Sequence, residues 1–391
     1  MWSWVTPMRP FSQRPSTNEW FFFHRKYLIS THLLCFPQTK EKNMTTPPES
    51  TADNLPKKGS ETLDNKRVWK ALAGVGIKDA MAEDAKEMVL ICAGLGRTGT
   101  SSLKLALKQI GLTPYHMADG VMETKGHMDL WVDYAVQPAL DATPPTNADQ
   151  MDGASGRQAR AKSAIQKYGY AAQGENIVTV IQGMAAAGFD SATDMPACYI
   201  WRALAHAHPN AKVFLTRRET GEKWATSVLA TIGQNIPVFS QAPFKHVPMM
   251  QKGLLMNHWM WAAIGVPADL WGSDDWTPEG ELGQSLAASH DAWAETVREE
   301  YREMTDGASE VVEIIAKDGA ENWLKLAELL GESPYAEKCR ARHAAGEPWP
   351  HENETAEMLR IYGIFKTIIK VWSFAPFIVV AIIVAIAALA M

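Results

Sequence analysis

Three glycines, one arginine and four hydroxyl residues crowd into positions 94–102 of this 391-residue chain: Gly94, Leu95, Gly96, Arg97, Thr98, Gly99, Thr100, Ser101 and Ser102. Residues of these types bind anions. Glycine lets backbone N–H groups close on a ligand with no side chain in the way, arginine supplies charge, and hydroxyls donate hydrogen bonds. The flanking sequence predicts how they are positioned. Val89, Leu90, Ile91 and Cys92 form an apolar run that reads as a short buried strand, and from Thr100 the apolar residues Leu103, Ala106, Leu107 and Ile110 recur at helical spacing. A strand, a glycine turn and a helix N-terminus aim successive N–H groups and the positive end of the helix dipole at one point, which makes a phosphate cradle. Structural glycines in an ordinary turn give the same local pattern, so the rest of the chain must carry the reading.

The spacing from Gly94 to Gly99 is that of a P-loop, but Thr100 stands where an ATPase or GTPase has lysine, and the cation sits inside the loop at Arg97. No later apolar strand ends in the aspartate that would hold magnesium; the run Val213-Phe-Leu-Thr ends in Arg217 and Arg218. The expectation is a donor handled without a metal. A nucleotide kinase or NTPase with a degenerate loop fits less well on both counts.

With 46% apolar and 21% charged residues, the chain can bury one large core or two small ones. A net charge of -6 argues against a general nucleic-acid binder. Cys35, Cys92, Cys198 and Cys339 lie far apart without metal-type pairing and read as reduced thiols.

Residues 1–66 read as a leader. Positions 1–43 are basic with an aromatic patch and lack the apolar run of a secretory signal; they are either an organelle-targeting segment or an extension upstream of a start at Met44. Positions 44–65 are polar and aperiodic, as in a disordered segment. The folded domain is expected over 67–357. A second strand should deliver His116 and a third Asp194, with Pro196 opening a helix to Ala207 and a surface loop over 141–160. The 213–216 strand, a helix from Lys223 to Thr231, a long helix from Leu282 to Met304, a strand within 310–317 and a helix from Trp323 follow. Strands alternating with helices predict an α/β fold, a central parallel sheet with helices on both faces. Trp259, Trp261, Trp271 and Trp276 read first as a small core under a long insertion, and second as an acceptor lid.

Residues 358–370 read as a basic juxtamembrane linker. Residues 371–391 contain no charge and, at about 1.5 Å per residue, span roughly 30 Å, so a transmembrane helix is expected. Arg360, Lys366 and Lys370 precede it and no charge follows, which predicts a single-pass C-terminal anchor with the domain on the cytosolic face.

Taken in order, the stretches starting at Gly94 (GLGRTGTSSL), Tyr115 (YHM), Phe189 (FDSATDMP), Pro209 (PNAKVFLTRR), Lys223 (KWATSV) and Pro350 (PHEN) resemble the sulfotransferase-like P-loop proteins of fungi and algae, members of which carry a C-terminal membrane segment. The resemblance implies a three-layer P-loop fold of sulfotransferase type and 3'-phosphoadenosine 5'-phosphosulfate (PAPS) as donor, with no metal. It implies further that Gly94, Arg97, Thr98, Gly99, Thr100, Ser101 and Ser102 cradle the 5'-phosphosulfate, Arg97 standing for the loop lysine of cytosolic sulfotransferases. Arg218 and Ser227 match the arginine and serine that hold the donor's 3'-phosphate, one residue further apart than usual, so Arg217 is an alternative. Sulfuryl transfer to a hydroxyl or amine also needs a base, and His116 and Asp194 both follow segments ending on the loop side of the sheet. A packed histidine and a helix-capping aspartate are their plainer readings. His290 and Asp291 echo a family His-Asn pair and are read as structural.

The leading expectation is a tail-anchored, PAPS-dependent sulfotransferase acting on a small-molecule or lipid-like acceptor at a membrane surface, with no nucleic-acid partner. The alternative is a catalytically inactive P-loop protein that binds a nucleotide and serves as a membrane-tethered interaction module. The acceptor and the oligomeric state are not written in these motifs.

Overall fold

In a computed structural model, the structure describes residues 86–142, 153–171, 175–352 and 355–390, all within one compact unit, Glu61–Met391. The leader expected over 1–66, with Cys35 and Met44, lies outside the described residues. The apolar run after Met88 forms β1 (Leu90–Cys92) and the glycine loop feeds α1 (Thr100–Ile110), as its periodicity predicts. Next come β2 (Pro114–Tyr115) and helical turns through 142. They lead to α2 (Gly153–Ala171), α3 (Glu175–Ala186), β3 (Ser191–Ala192), a 3-10 turn and α4 (Trp201–Ala207). The second half supplies β4 (Lys212–Arg217), α5 (Gly221–Ala230), α6 (Asn235–Phe239), α7 (Pro248–Ala263) and α8 (Glu281–Met304). It closes with β5 (Val312–Ile315), α9 (Glu321–Leu330), α10 (Pro334–Ala344) and α11 (Thr355–Ala390).

The five strands form one sheet in the order β2-β3-β1-β4-β5, every pairing parallel. Leu90 lies opposite Ser191 on one side and Lys212 on the other, so β1 sits where the strand order turns, the place where open α/β sheets bind ligands. Side chains alternate between two cores. Ile91, Val213 and Leu215 join the larger one with α3, α4, α5, α7 and α8. Leu90, Cys92, Phe214 and Ile314 join the smaller one, covered by α1, α9 and α10. Period-2 alternation in strands buried on both faces produces three layers.

Two expectations change, and the first reading of the tryptophans holds. The surface loop placed over 141–160 is helical from Gly153; its Ala, Arg, Lys and Gln content favours helix, and Arg160 and Ala161 are buried, with Arg160 donating to Ser285 of α8. The tryptophans of the 233–283 insertion are core: Trp259, Trp261 and Trp271 are buried in the larger cluster and Trp276 packs on it. At the C-terminus, 358–370 is helical rather than a linker, and Met358, Tyr362, Phe365 and Ile369 seat α11 on Val238, Phe239, Phe244 and Met250.

The transmembrane helix expected over 371–391 is not found: among the described residues no helix is long and apolar enough to cross a membrane. The backbone of α11 is helical to Ala390, but most side chains beyond Phe374 lie outside the described residues. The part of α11 with described side chains carries Glu357, Arg360, Lys366 and Lys370.

Candidate functional site

The loop after β1 is held from outside by its carbonyl groups. Trp293 Nε1 on α8 donates to Ala93 O at 2.7 Å, and Trp224 Nε1 on α5 donates to Gly96 O at 2.7 Å. Arg218 Nε, just past β4, donates to Arg97 O at 2.8 Å, and Thr98 Oγ1 closes back on Leu95 O at 2.5 Å. With these carbonyls fixed, the N–H groups between them face the other way. Among the described residues, no carbonyl accepts from the N–H of Gly96, Thr98, Gly99, Thr100, Ser101 or Ser102. A row of unpaired N–H groups ending at the N-terminus of an eleven-residue helix is an anion cradle.

Glycine is required at two points. A Cβ at Gly94 would lie 1.9 Å from Thr216 Oγ1 and 2.5 Å from Thr216 O, because the loop crosses β4 backbone to backbone. Gly99, at φ 99°, caps α1 in the left-handed region. Arg97 adopts φ 69° without that freedom, a conformation that costs an L-residue roughly 1–2 kcal/mol; the bond from Arg218 to its carbonyl helps to hold it.

The guanidinium of Arg97 faces away from the N–H row. Its Nε donates to Ser227 Oγ at 3.3 Å and Nη2 to Thr355 Oγ1 at 2.7 Å, and Nη1 lies 3.7 Å from Met358 Sδ. Arg97, Arg218 and Ser227 thus come together, with the first turn of α11 beside them. Arg217 does not join them. It donates to Glu313 at 2.5 Å and to the carbonyls of Arg218 and Glu219, and it lines a cavity of about 370 Å³ with His290, Asp291 and Arg298 that no residue of 94–102 reaches. Burial alone would raise the Glu313 carboxyl, but Arg298 and Arg217 outweigh it and hold it below the usual carboxylate range.

The loop hydroxyls are spent on the fold. Thr98 Oγ1 also meets Thr216 Oγ1 at 2.7 Å, Thr100 Oγ1 donates to Asp194 Oδ1 at 3.1 Å, and Ser102 Oγ accepts from Glu352 N at 3.1 Å. Ser101, 8% exposed, lies beside them on α1. Under the loop, Cys92 Sγ accepts from Gly94 N at 3.4 Å, and burial raises its thiol pKa.

His116 and Asp194 meet at this loop. Asp194 Oδ2 lies 3.3 Å from His116 Nε2, outside hydrogen-bond alignment, while its other oxygen takes the Thr100 hydroxyl and would lie 2.9 Å from a Cβ on Gly96. The carboxylate does not cap the helical turn after Pro196, because Cys198 N donates to the Asp194 main-chain carbonyl at 2.9 Å. His116 Nδ1 accepts from Ala118 N at 3.3 Å, so the neutral ring carries its proton on Nε2, toward Asp194. The histidine therefore has no open lone pair, whereas the carboxylate does. Behind them Lys104 and Lys108 of α1 both reach Asp119. Its carboxyl is raised by burial but lowered overall by these two lysines. His290, read as structural, accepts from Arg218 N at 3.4 Å and meets Asp291 at 2.8 Å through Nδ1.

Sequence reading missed Trp224, Trp293 and Thr355. Trp224 lies in one of the conspicuous stretches, but nothing in its spacing says that the indole N–H meets a loop carbonyl. Thr355 carries no motif.

Comparison with known proteins agrees with this geometry. A protein of Aspergillus versicolor named Ava biosynthesis cluster protein M is 33% identical over 145 residues, a stretch covering 37% of this chain and 43% of that protein. The sulfotransferase domain matches residues 89–358, from the start of β1 to the Met358 contact with Arg97. An α/β parallel sheet with a phosphate-type loop after its central strand, matched to that domain over more than half its length, places the chain in the sulfotransferase-domain family.

Proposed function

We propose that this protein is a PAPS-dependent sulfotransferase that moves a sulfuryl group to a hydroxyl or amine acceptor at a membrane surface. The observation that carries the reading is the row of inward N–H groups beside the Asp194 carboxylate: an anion cradle next to a base. PAPS supplies a sulfuryl group on a phosphate leaving group. The N–H groups of Gly96 and of Thr98 to Ser102 hold that phosphate end and stabilise the charge it gains, because donors fixed beforehand need no reorganisation during reaction. Glycine fits the cradle here, since a Cβ at Gly96 would press on Asp194. Arg218 and Ser227, gathered at Arg97, hold the second phosphate. Asp194 takes the proton from the acceptor; the Thr100 hydroxyl holds one of its carboxylate oxygens, and the His116 ring lies beside the other. The membrane location rests on the uncharged stretch 371–391 and its basic approach.

The test is thermal unfolding with adenosine 3',5'-bisphosphate in the absence of magnesium. Stabilisation is expected, and stabilisation by Mg-ATP alone would overturn the reading. Asp194→Asn should lose roughly a hundredfold or more in transfer while binding the bisphosphate normally; an active Asn variant removes Asp194 as the base. One observation favours the second reading, an inactive, membrane-tethered nucleotide-binding module: the Arg97 guanidinium is engaged by Ser227 and α11 instead of facing the cradle. Bisphosphate binding without transfer to any hydroxyl or amine would establish it.

A further inference from the structure

We infer that the outward side of α11 before the apolar stretch is a docking face for the surface of an anionic bilayer. This shares the membrane location of the proposed function but does not need 371–391 to span. On its inward side α11 is committed to the domain through Met358, Tyr362, Phe365 and Ile369, which recur at helical spacing. Such a helix would ordinarily turn a polar side to water. Instead Ile364, Ile368 and Val371 stand out at 46%, 39% and 63% exposure, with Trp372 at 51% just beyond. Exposed Lys366 and Lys370 lie on the opposite flank of the outward side, with Arg360, Gly363 and Thr367 between them and the apolar side chains.

Three observations identify the occupant. Apolar side chains on one flank and lysines on the other fit acyl chains and anionic headgroups, the isoleucines reaching down while the long lysine stems reach round to the headgroups. Trp372 has the amphipathic ring that settles at headgroup level. The patch also runs without a break into the uncharged residues from Val371 onward. A second copy of the chain packed antiparallel on this side would bring Lys366 and Lys370 toward their own counterparts, where like charges repel. With α11 lying on the surface, its first turn, and with it Arg97, comes close to the headgroups. The acceptor is then an amphipathic molecule presented from the membrane.

The test is nitroxide accessibility in the full chain carrying Cys35→Ser; Cys92, Cys198 and Cys339 are buried. Labels are placed singly through Ile364→Cys, Ile368→Cys, Ile386→Cys and, as a water-exposed reference, Glu332→Cys. The protein is set in nanodiscs of phosphatidylcholine with phosphatidylserine. Collision with a water-soluble nickel chelate should fall roughly fivefold or more at 364 and 368 relative to 332. Protection at 364 and 368 supports the docking face whether or not 386 is covered, since 386 lies on the same side five turns on, and 386 open beside them removes the span. Protection at 386 with 364 and 368 as open as 332 overturns the docking face and leaves the span standing. Spin–spin broadening between labels at 364 also overturns it, by putting a second copy there.

Discussion

Replacing Trp224 by phenylalanine tests whether the loop's outward carbonyls set its inward N–H groups. Trp224 is fully buried, and its Nε1 donates at 2.7 Å to Gly96 O, one residue before the left-handed turn at Arg97. Phenylalanine keeps the ring against His290 and Trp261, whose centroids lie 5.5 and 6.3 Å away, but removes the donor. An unpaired buried carbonyl costs about 1–3 kcal/mol, and the smaller ring leaves a void costing about 1–2 kcal/mol more. A total of about 2–5 kcal/mol lowers the melting temperature of a domain this size by roughly 2 °C per kcal/mol. The more telling readout is calorimetric binding of adenosine 3',5'-bisphosphate. Freed from Trp224, the Gly96 peptide can rotate its carbonyl toward the cradle, where it repels phosphate and withdraws an N–H. Affinity should fall about tenfold, or about 1.4 kcal/mol. A variant that loses stability but binds the bisphosphate as the parent does would refute the idea that carbonyl anchoring shapes the cradle.

Two further outcomes follow from the same geometry. Gly94→Ala should destabilise the domain by about 3 kcal/mol or more, because its Cβ meets Thr216 backbone atoms at 2.5 and 2.7 Å that no rotamer change can move; a melting temperature within a degree or two of the parent would contradict the crossing at β4. Glu313→Gln should cost about 1–2 kcal/mol at pH 7 by removing the shared partner of Arg217 and Arg298. Since the carboxyl of Glu313 is lowered by folding, its stabilisation is complete above its unfolded pKa and lost as pH falls through the folded value. The gap between variant and parent in urea midpoints should therefore close below roughly pH 4; a gap that persists there assigns the loss to packing.

The loop was legible because each of its requirements is local. Three of the four apolar residues make the strand, the glycines allow the turn, and Leu103, Ala106 and Leu107 set the helix face buried against α9 and α10. The strands carrying His116 and Asp194 were legible for the same reason. What brings these two residues to Thr100 is the sheet order β2-β3-β1, which parallel pairing creates between residues about 75 to 100 positions apart and which no local pattern encodes. The hydroxyls show what sequence leaves open, because it counts donors without showing their targets: Thr98 and Thr100 serve Leu95, Thr216 and Asp194, while no carbonyl among the described residues accepts from the N–H groups of the same residues. Arg97 was read as a cation for the loop, yet its direction depends on Thr355, 258 positions away.

The helix that begins at Thr355 works as a lever. Its 36 residues run from the contact with Arg97 to Ala390, with Pro376 set within them, and Tyr362, hydrogen-bonded to Asn235 at 2.6 Å, sits near the fulcrum on α6. The short arm, from Thr355 to Tyr362, is about 10 Å long, and the arm from Tyr362 to Ala375, ahead of the proline, is about 20 Å. A sideways shift of about 2 Å at Ala375 therefore becomes about 1 Å at Thr355, enough to part a hydrogen bond made at 2.7 Å. Whatever grips the end of that rod also sets how firmly the guanidinium of Arg97 is held.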